Sequence, residues 1–170
     1  RTMVFAGRER HASARYHNLG YPTRALRTKD FLYIRNFRPE RWPAGDPCAI
    51  DKNGKTGAMH SAYHDIDQCP AWDFIVANRD DREIYPYFLK AAGKRPYEEL
   101  YNVSSDPGCL HNLIGNGKYT EKLNNLRKEM DKLLKKTKDT RYLDDPTQDD
   151  IWETYPRLSG AMRTFPEPLF

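Results

Sequence analysis

Apolar positions recur in two rhythms along this chain, and each rhythm places elements. Tyr119, Leu123, Leu126, Met130, Leu133 and Leu134 fall at three- and four-residue steps, which predicts an amphipathic helix over about 119–136 with a lysine-rich face turned to solvent. Residues 21–37 contain two β-rich runs around the polar Thr28-Lys29-Asp30, and this predicts a hairpin. Phe31 and Tyr33 share one face of its second strand and Leu32 and Ile34 the other, so burial on both sides is expected. Residues 3–6 and 100–103 read as two more short strands. After the latter, Ser105-Asp106-Pro107-Gly108 must reverse the chain: Pro107 presets φ, Gly108 tolerates positive φ, and the Asp106 side chain can bond the backbone two residues on. Pro70 sits at a first helical position before an apolar run to residue 77, and a second short helix over 84–92 ends at Gly93. Between hairpin and helices, Pro39, Pro43 and Pro47 exclude helix and central strand, leaving an ordered loop anchored by Trp42. The expected fold is therefore α+β, a small antiparallel sheet of about four strands with the long C-terminal helix packed on it.

Composition narrows the class without naming a function. A chain of 170 residues suffices for one core. Its mean hydropathy of -0.90 is polar for a self-sufficient enzyme domain, whereas 12% aromatic residues argue against disorder. Lys and Arg total 28 against 24 Asp and Glu, so charge permits anionic partners without defining a one-signed field. Cys48, Cys69 and Cys109 are too scattered for a zinc site or a disulfide framework. No apolar run approaches the roughly 18 residues of a membrane helix, and no membrane partner is expected. The chain opens on Arg1 and passes directly into a strand-like run, which reads as the cut end of a longer protein.

Candidate chemistry concentrates in two loops. Gly7-Arg8-Glu9-Arg10-His11 crowds charge onto the segment leaving the first strand, the end at which open α/β sheets place ligands. Arg8, Arg10 and His11 there would face an anionic group, because guanidinium forks match sulfate or phosphate; the plainer reading is a solvated loop. His60, His64, Asp65 and Asp67 invite a metal, yet Ile66 interrupts the aspartates and calcium-loop spacing is missing, so no metal is assigned. Arg24, Arg27 and Arg35 could form an anion-binding stripe, but an exposed edge with snorkelling stems is the favoured reading. Asn102-Val103-Ser104 fits a glycosylation pattern, and its strand position argues against use.

Several blocks together carry a family resemblance. Arg95-Pro96-x-Glu98-Glu99-Leu100-Tyr101 followed by Asp106-Pro107-Gly108 and Asn112-Leu113 resembles the C-terminal subdomain of the sulfatases, where a short strand and this turn precede the last long helix. Gly7-Arg8-Glu9-Arg10-His11, Tyr21-Pro22-x-Arg24-Ala25-x-Arg27-Thr28-Lys29-Asp30, Leu32 to Phe37, Arg41-Trp42-Pro43-Ala44-Gly45, His64-Asp65-Ile66-Asp67 and Trp152-Glu153-Thr154-Tyr155 look like the heparan N-sulfatase (sulfamidase) branch, particularly its bacterial members. The resemblance implies an alkaline-phosphatase-like parent, with residues 1–20 ending the catalytic domain, 21–143 forming the C-terminal subdomain and 144–170 an extended tail on the parent domain. It implies a formylglycine nucleophile, matured from C/S-x-P-S-x-R, acting on sulfur beside a calcium ion and releasing an amine or alcohol. That motif and the calcium-binding paired aspartates are absent from these residues, so the chain alone is expected to be inactive and to bind neither cofactor. No catalytic residue is assigned here. His11 is the first substrate-binding candidate at the pocket rim, then Arg10, Glu9 and Arg8, with His64 and Asp65 from the later loop. The implied partners are the missing N-terminal catalytic domain and a sulfated carbohydrate of the glycosaminoglycan type. A periplasmic or secreted location follows for a bacterial parent, and a lysosomal one for a eukaryotic parent.

Two competing readings remain. Arg24, Arg27, Arg35, Tyr33 and Phe37 could stack and bind single-stranded nucleic acid, although mixed charge and the lack of a recognisable motif argue against a nucleic-acid partner. Alternatively the chain is a non-catalytic basic module that binds or caps an anionic partner.

Overall fold

The structure is a computed structural model. It describes residues 2–142 except 10, 13, 16–18 and 52. The tail expected over 144–170 and the candidate Arg10 lie outside the described residues. Within the described residues the chain divides into two compact units, the first drawn from 2–9, 22–38 and 96–142 and the second from 11–21 and 39–95. The second unit is thus built from excursions of chain between strands of the first.

The first unit is the expected α+β arrangement. Strands β1 (Met3–Arg8), β2 (Thr23–Thr28), β3 (Phe31–Asn36) and β4 (Glu98–Asn102) form one four-stranded sheet in sequence order, every neighbour pair antiparallel. Because β1 is the outer strand of an antiparallel sheet, the rule for strand ends in open α/β sheets does not govern the loop that leaves it. Register aligns Phe5, Leu26, Tyr33 and Leu100 side by side across the strands. In the core they meet Leu123, Leu126, Met130 and Leu134, four residues of a helix introduced below as α3. Burying each such side chain is worth about 1.5–3 kcal/mol.

Two residues further along each strand, on the same face, register aligns Gly7, Arg24, Arg35 and Glu98, and this row is ionic. The second strand of the hairpin is accordingly uneven: Tyr33 and Arg35 are buried, whereas Leu32 and Ile34 are half-buried. Arg24 and Arg35 are buried as well, which corrects the exposed-edge reading for both; only Arg27 of the three is exposed.

In the second unit, α1 spans Pro70–Ala77 and α2 Tyr85–Ala92, while α3 of the first unit spans Thr120–Lys136. Pro70 and Pro86 sit at the first or second positions of the two short helices, where a missing N–H costs nothing. α3 places Lys135 and Lys136 in its last turn, complementing the negative helix end. Its N-terminal side follows the predicted reversal, but Asp106 works differently from expectation. Its carboxylate accepts the backbone N–H groups of Leu110 at 3.1 Å and His111 at 2.8 Å, four and five residues on, and these bonds hold its carboxyl below the usual range. The Asn102 side chain takes the N–H groups of Ser104 and Ser105, so the glycosylation-pattern asparagine is spent on the turn.

The second unit packs around Ala44, Tyr63, Trp72, Phe88 and Ala92, with Trp42 and Ile66 against them. Rings supply most of this core: Tyr63 meets Trp72 edge-on at 5.6 Å, and Trp72 stacks on Phe88 at 6.4 Å. Its loops are strained where they interlock. Gly45 adopts φ +93, and a Cβ there would lie 2.9 Å from the Cβ of Ala14 and 3.2 Å from the backbone nitrogen of His64. His60 and Tyr63 both adopt positive φ, a costly state for side chains of this size, and are joined by Nδ1 and Oη 2.7 Å apart. Burial pushes the Tyr63 hydroxyl up to about 12, and burial followed by the nearby Arg79 cation lowers the His60 imidazolium.

Candidate functional site

The loop that sequence marks as one charged cluster is divided between the two units. In the first unit Arg8 ends β1 with its side chain exposed. Glu9 turns inward, where it accepts from Arg24 at 2.5 Å and from Arg141 at 2.8 Å. Arg24 in turn donates to both carboxylate oxygens of Asp139, at 2.6 and 3.0 Å. Burial alone would lower the Arg24 guanidinium, but the hydrogen bonds it donates to Asp139 and Glu9 outweigh it and hold the cation firmly charged. Both Glu9 oxygens are therefore committed within the protein. Beside this network lies an open cleft of about 370 Å³ whose lining includes Phe5, Arg8, Glu9, Lys138 and Asp139. Arg8 and Lys138 are exposed, so they place positive charge on its margin above an internally paired floor.

The remaining ionic contacts of this sheet face run to α3. Arg35 donates to Asp131 at 2.7 Å, and Arg127 forms a forked pair with Glu98 through Nε at 2.9 and 3.2 Å. The Tyr33 hydroxyl donates to Glu98 as well. Burial pulls the Glu98 carboxyl up, yet the bonds from Arg127 and Tyr33 prevail and its pKa is lowered. Burial, then the Glu98 contact, raises the Tyr33 phenol. With Tyr33, Arg24 and Arg35 all buried, the nucleic-acid platform considered from sequence is not presented to solvent.

The second unit contributes the other candidates. His11 is 70% exposed at its side chain, and its Nδ1 lies 3.6 Å from Asp65 Oδ1. Asp65 is only 8% exposed, and its other oxygen receives Nη2 of the buried Arg15 at 3.2 Å. Arg15 is also clamped by the carbonyls of Trp42 at 2.7 Å and Pro43 at 2.6 Å. His64 is exposed on the same loop as Asp65. Structure thus joins His11 to Asp65, which sequence proposed separately, and adds Arg15, which sequence reasoning missed because it lies in a stretch without periodicity or motif. Among the described residues no group of three or more His, Cys, Asp or Glu side chains is arranged to hold a metal ion. Nor, among them, is any helix long and apolar enough to cross a membrane.

Comparison with known proteins supplies a relationship. No family model matches the chain. A 111-residue stretch, 65% of the chain, is 34% identical to an ulvan-active sulfatase from Formosa agariphila. The match spans only 16% of that protein's length. A solved structure of a protein bound to its substrate D-glucosamine-2-N,6-O-disulfate overlaps 87% of this chain and 17% of its own at 14% identity, with a TM-score of 0.38, too loose a superposition to carry an argument. The chain is accordingly related in sequence to a sulfatase over about two-thirds of its length.

Proposed function

We propose that this chain is the C-terminal part of a sulfatase that removes sulfate groups from sulfated carbohydrate, and that it contributes to the substrate-pocket rim and to stability. The observation that carries the reading is the 34% match over 111 residues to a sulfatase. Within that class, the ordered blocks from Gly7-Arg8-Glu9-Arg10-His11 to His64-Asp65-Ile66-Asp67 favour the heparan N-sulfatase branch, and hence N-sulfated glucosamine in a glycosaminoglycan. The relative's name raises ulvan as the competing substrate.

In this reading His11 contacts the sugar, with Arg8 and Arg10 offering guanidinium forks to sulfate oxygens. His64 adds to the rim. Calcium and formylglycine belong to a catalytic domain outside these residues, where they would supply the nucleophile and bind sulfate charge. A periplasmic or secreted location suits a bacterial enzyme of this kind, and a lysosomal one a eukaryotic enzyme.

The test is sulfate release by the full-length protein from N-sulfated glucosamine and from ulvan, measured by ion chromatography. Release from the first and not the second is expected; release from ulvan alone would move the protein to the other branch, and release from neither would overturn the reading. His11→Ala is expected to lower kcat/KM by about tenfold, the worth of a hydrogen bond of about 1.4 kcal/mol, with the circular dichroism spectrum unchanged.

A further inference from the structure

We propose that Arg15 and Asp65 act as a positioning pair for His11, fixing its ring proton on Nδ1 so that Nε2 is presented as a hydrogen-bond acceptor to a hydroxyl or N–H of the sugar. The inference rests on the reading of His11 as a substrate contact and deepens it, because it names the ligand group this histidine would read. A sulfate oxygen, itself an acceptor, would be left to the arginines.

The geometry begins at Arg15. Its guanidinium is buried and held by two backbone carbonyls, so the Nη2 contact fixes Asp65 Oδ2 in place. Asp65 is nine-tenths buried at its side chain. Its Oδ1 is shielded from solvent and accepts no hydrogen bond among the described residues, while His11 Nδ1 stands 3.6 Å away. That gap is slightly beyond a hydrogen bond, and the exposed His11 ring can close it by a small rotation. Such contacts in ligand-free sites often tighten only on binding.

The proton's location then follows from donor and acceptor counting. A carboxylate only accepts, and a neutral imidazole has one N–H and one bare nitrogen. Facing Asp65, Nδ1 must carry the proton. Asp65→Asn reverses this without a change of shape: Arg15 requires the amide oxygen at the Oδ2 position, which leaves the amide NH2 pointing at His11. Nδ1 would then have to accept, and the ring proton would move to Nε2.

The experiment is 15N NMR of the full-length, histidine-labelled protein without ligand, at a pH where the ring is neutral, with the His11 signals assigned by their loss in His11→Gln. The wild type is expected to show the proton on Nδ1, and Asp65→Asn to move it to Nε2. A wild-type ring protonated on Nε2 overturns the proposal, as does a tautomer that Asp65→Asn leaves unchanged. Should Asp65→Asn fail to fold, the wild-type spectrum decides alone. Kinetically, Asp65→Asn is expected to lower kcat/KM on N-sulfated glucosamine about tenfold, the lower end for loss of an orienting partner, and Asp65→Glu to restore part of it; equal loss in both overturns the positioning role. Because the tautomer is read without substrate, a protein that releases no sulfate but carries the Nδ1 proton would sink the sulfatase reading and leave the pair standing.

Discussion

The two units solve the same problem, burying charge and polar backbone beside an apolar core, by opposite means. In the first, regular register does the work: one row across the sheet is apolar and packs on α3, while the row beside it is ionic and meets Arg127, Asp131 and Asp139. In the second there is little repeating backbone. Loops interlock through Gly45, a buried Arg15 ties two carbonyls and a carboxylate, and aromatic rings fill the centre. A sheet can hold ion pairs at fixed intervals because strand spacing repeats; a loop cluster must build each polar anchor singly, with strained backbone as part of the cost.

The largest effect that would sharpen this contrast is expected at the ionic row. Arg24→Ala leaves the largely buried Asp139 carboxylate without its cation and Glu9 with Arg141 alone, a loss of about 3–5 kcal/mol. Arg27→Ala, on the exposed face of the same strand, is expected within about 0.5 kcal/mol. Urea unfolding followed by far-ultraviolet circular dichroism measures both, and equal costs would remove the distinction between the two faces.

Next comes the interlock of the second unit. Gly45→Ala meets both a positive φ and the close approach of Ala14, and a destabilisation of about 1–3 kcal/mol is expected. Trp42 and Trp72 both lie in this unit, so tryptophan fluorescence should register the loss. A neutral substitution would show that the loops are not tightly joined there.

The smallest effect is pH dependence, which has the same sign in both units but a different onset. Glu98 has a folded pKa below its ordinary 4.5, so its contribution is present above about that pH and is lost as pH falls through the depressed value. His60 is lowered from 6.5; the unfolded state takes up the proton first, and stability of the second unit declines as pH falls below that value. Between pH 6.5 and 4.5 the fluorescence-detected midpoint is expected to drop while the first unit's contribution from Glu98 holds. Parallel decline of both probes across that interval would contradict the assignment.

Much of the fold was legible before the structure. The stripe from Leu123 to Leu134 gives α3 within a residue at its start, and the polar break at Lys29 and Asp30 gives the hairpin. The candidate site was legible only in part. His11 and Asp65 were both marked as residues, but their juxtaposition, and the fate of Glu9, were not. Chemically similar arginines at positions 24, 27 and 35 end in different environments, a difference that no local pattern encodes.

What the sequence by itself determined is therefore local: where α3 begins and ends, which strands pair across short turns, and which side chains can bind anions. Those outcomes depend on periodicity and turn chemistry, which act over a few residues. The tertiary structure decided that Arg24 and Arg35 are buried and paired, that Glu9 belongs to Arg24 and Arg141, and that Arg15 stands behind Asp65. Each of these contacts joins residues far apart in the chain, and a side chain's partner is set by where the backbone places it.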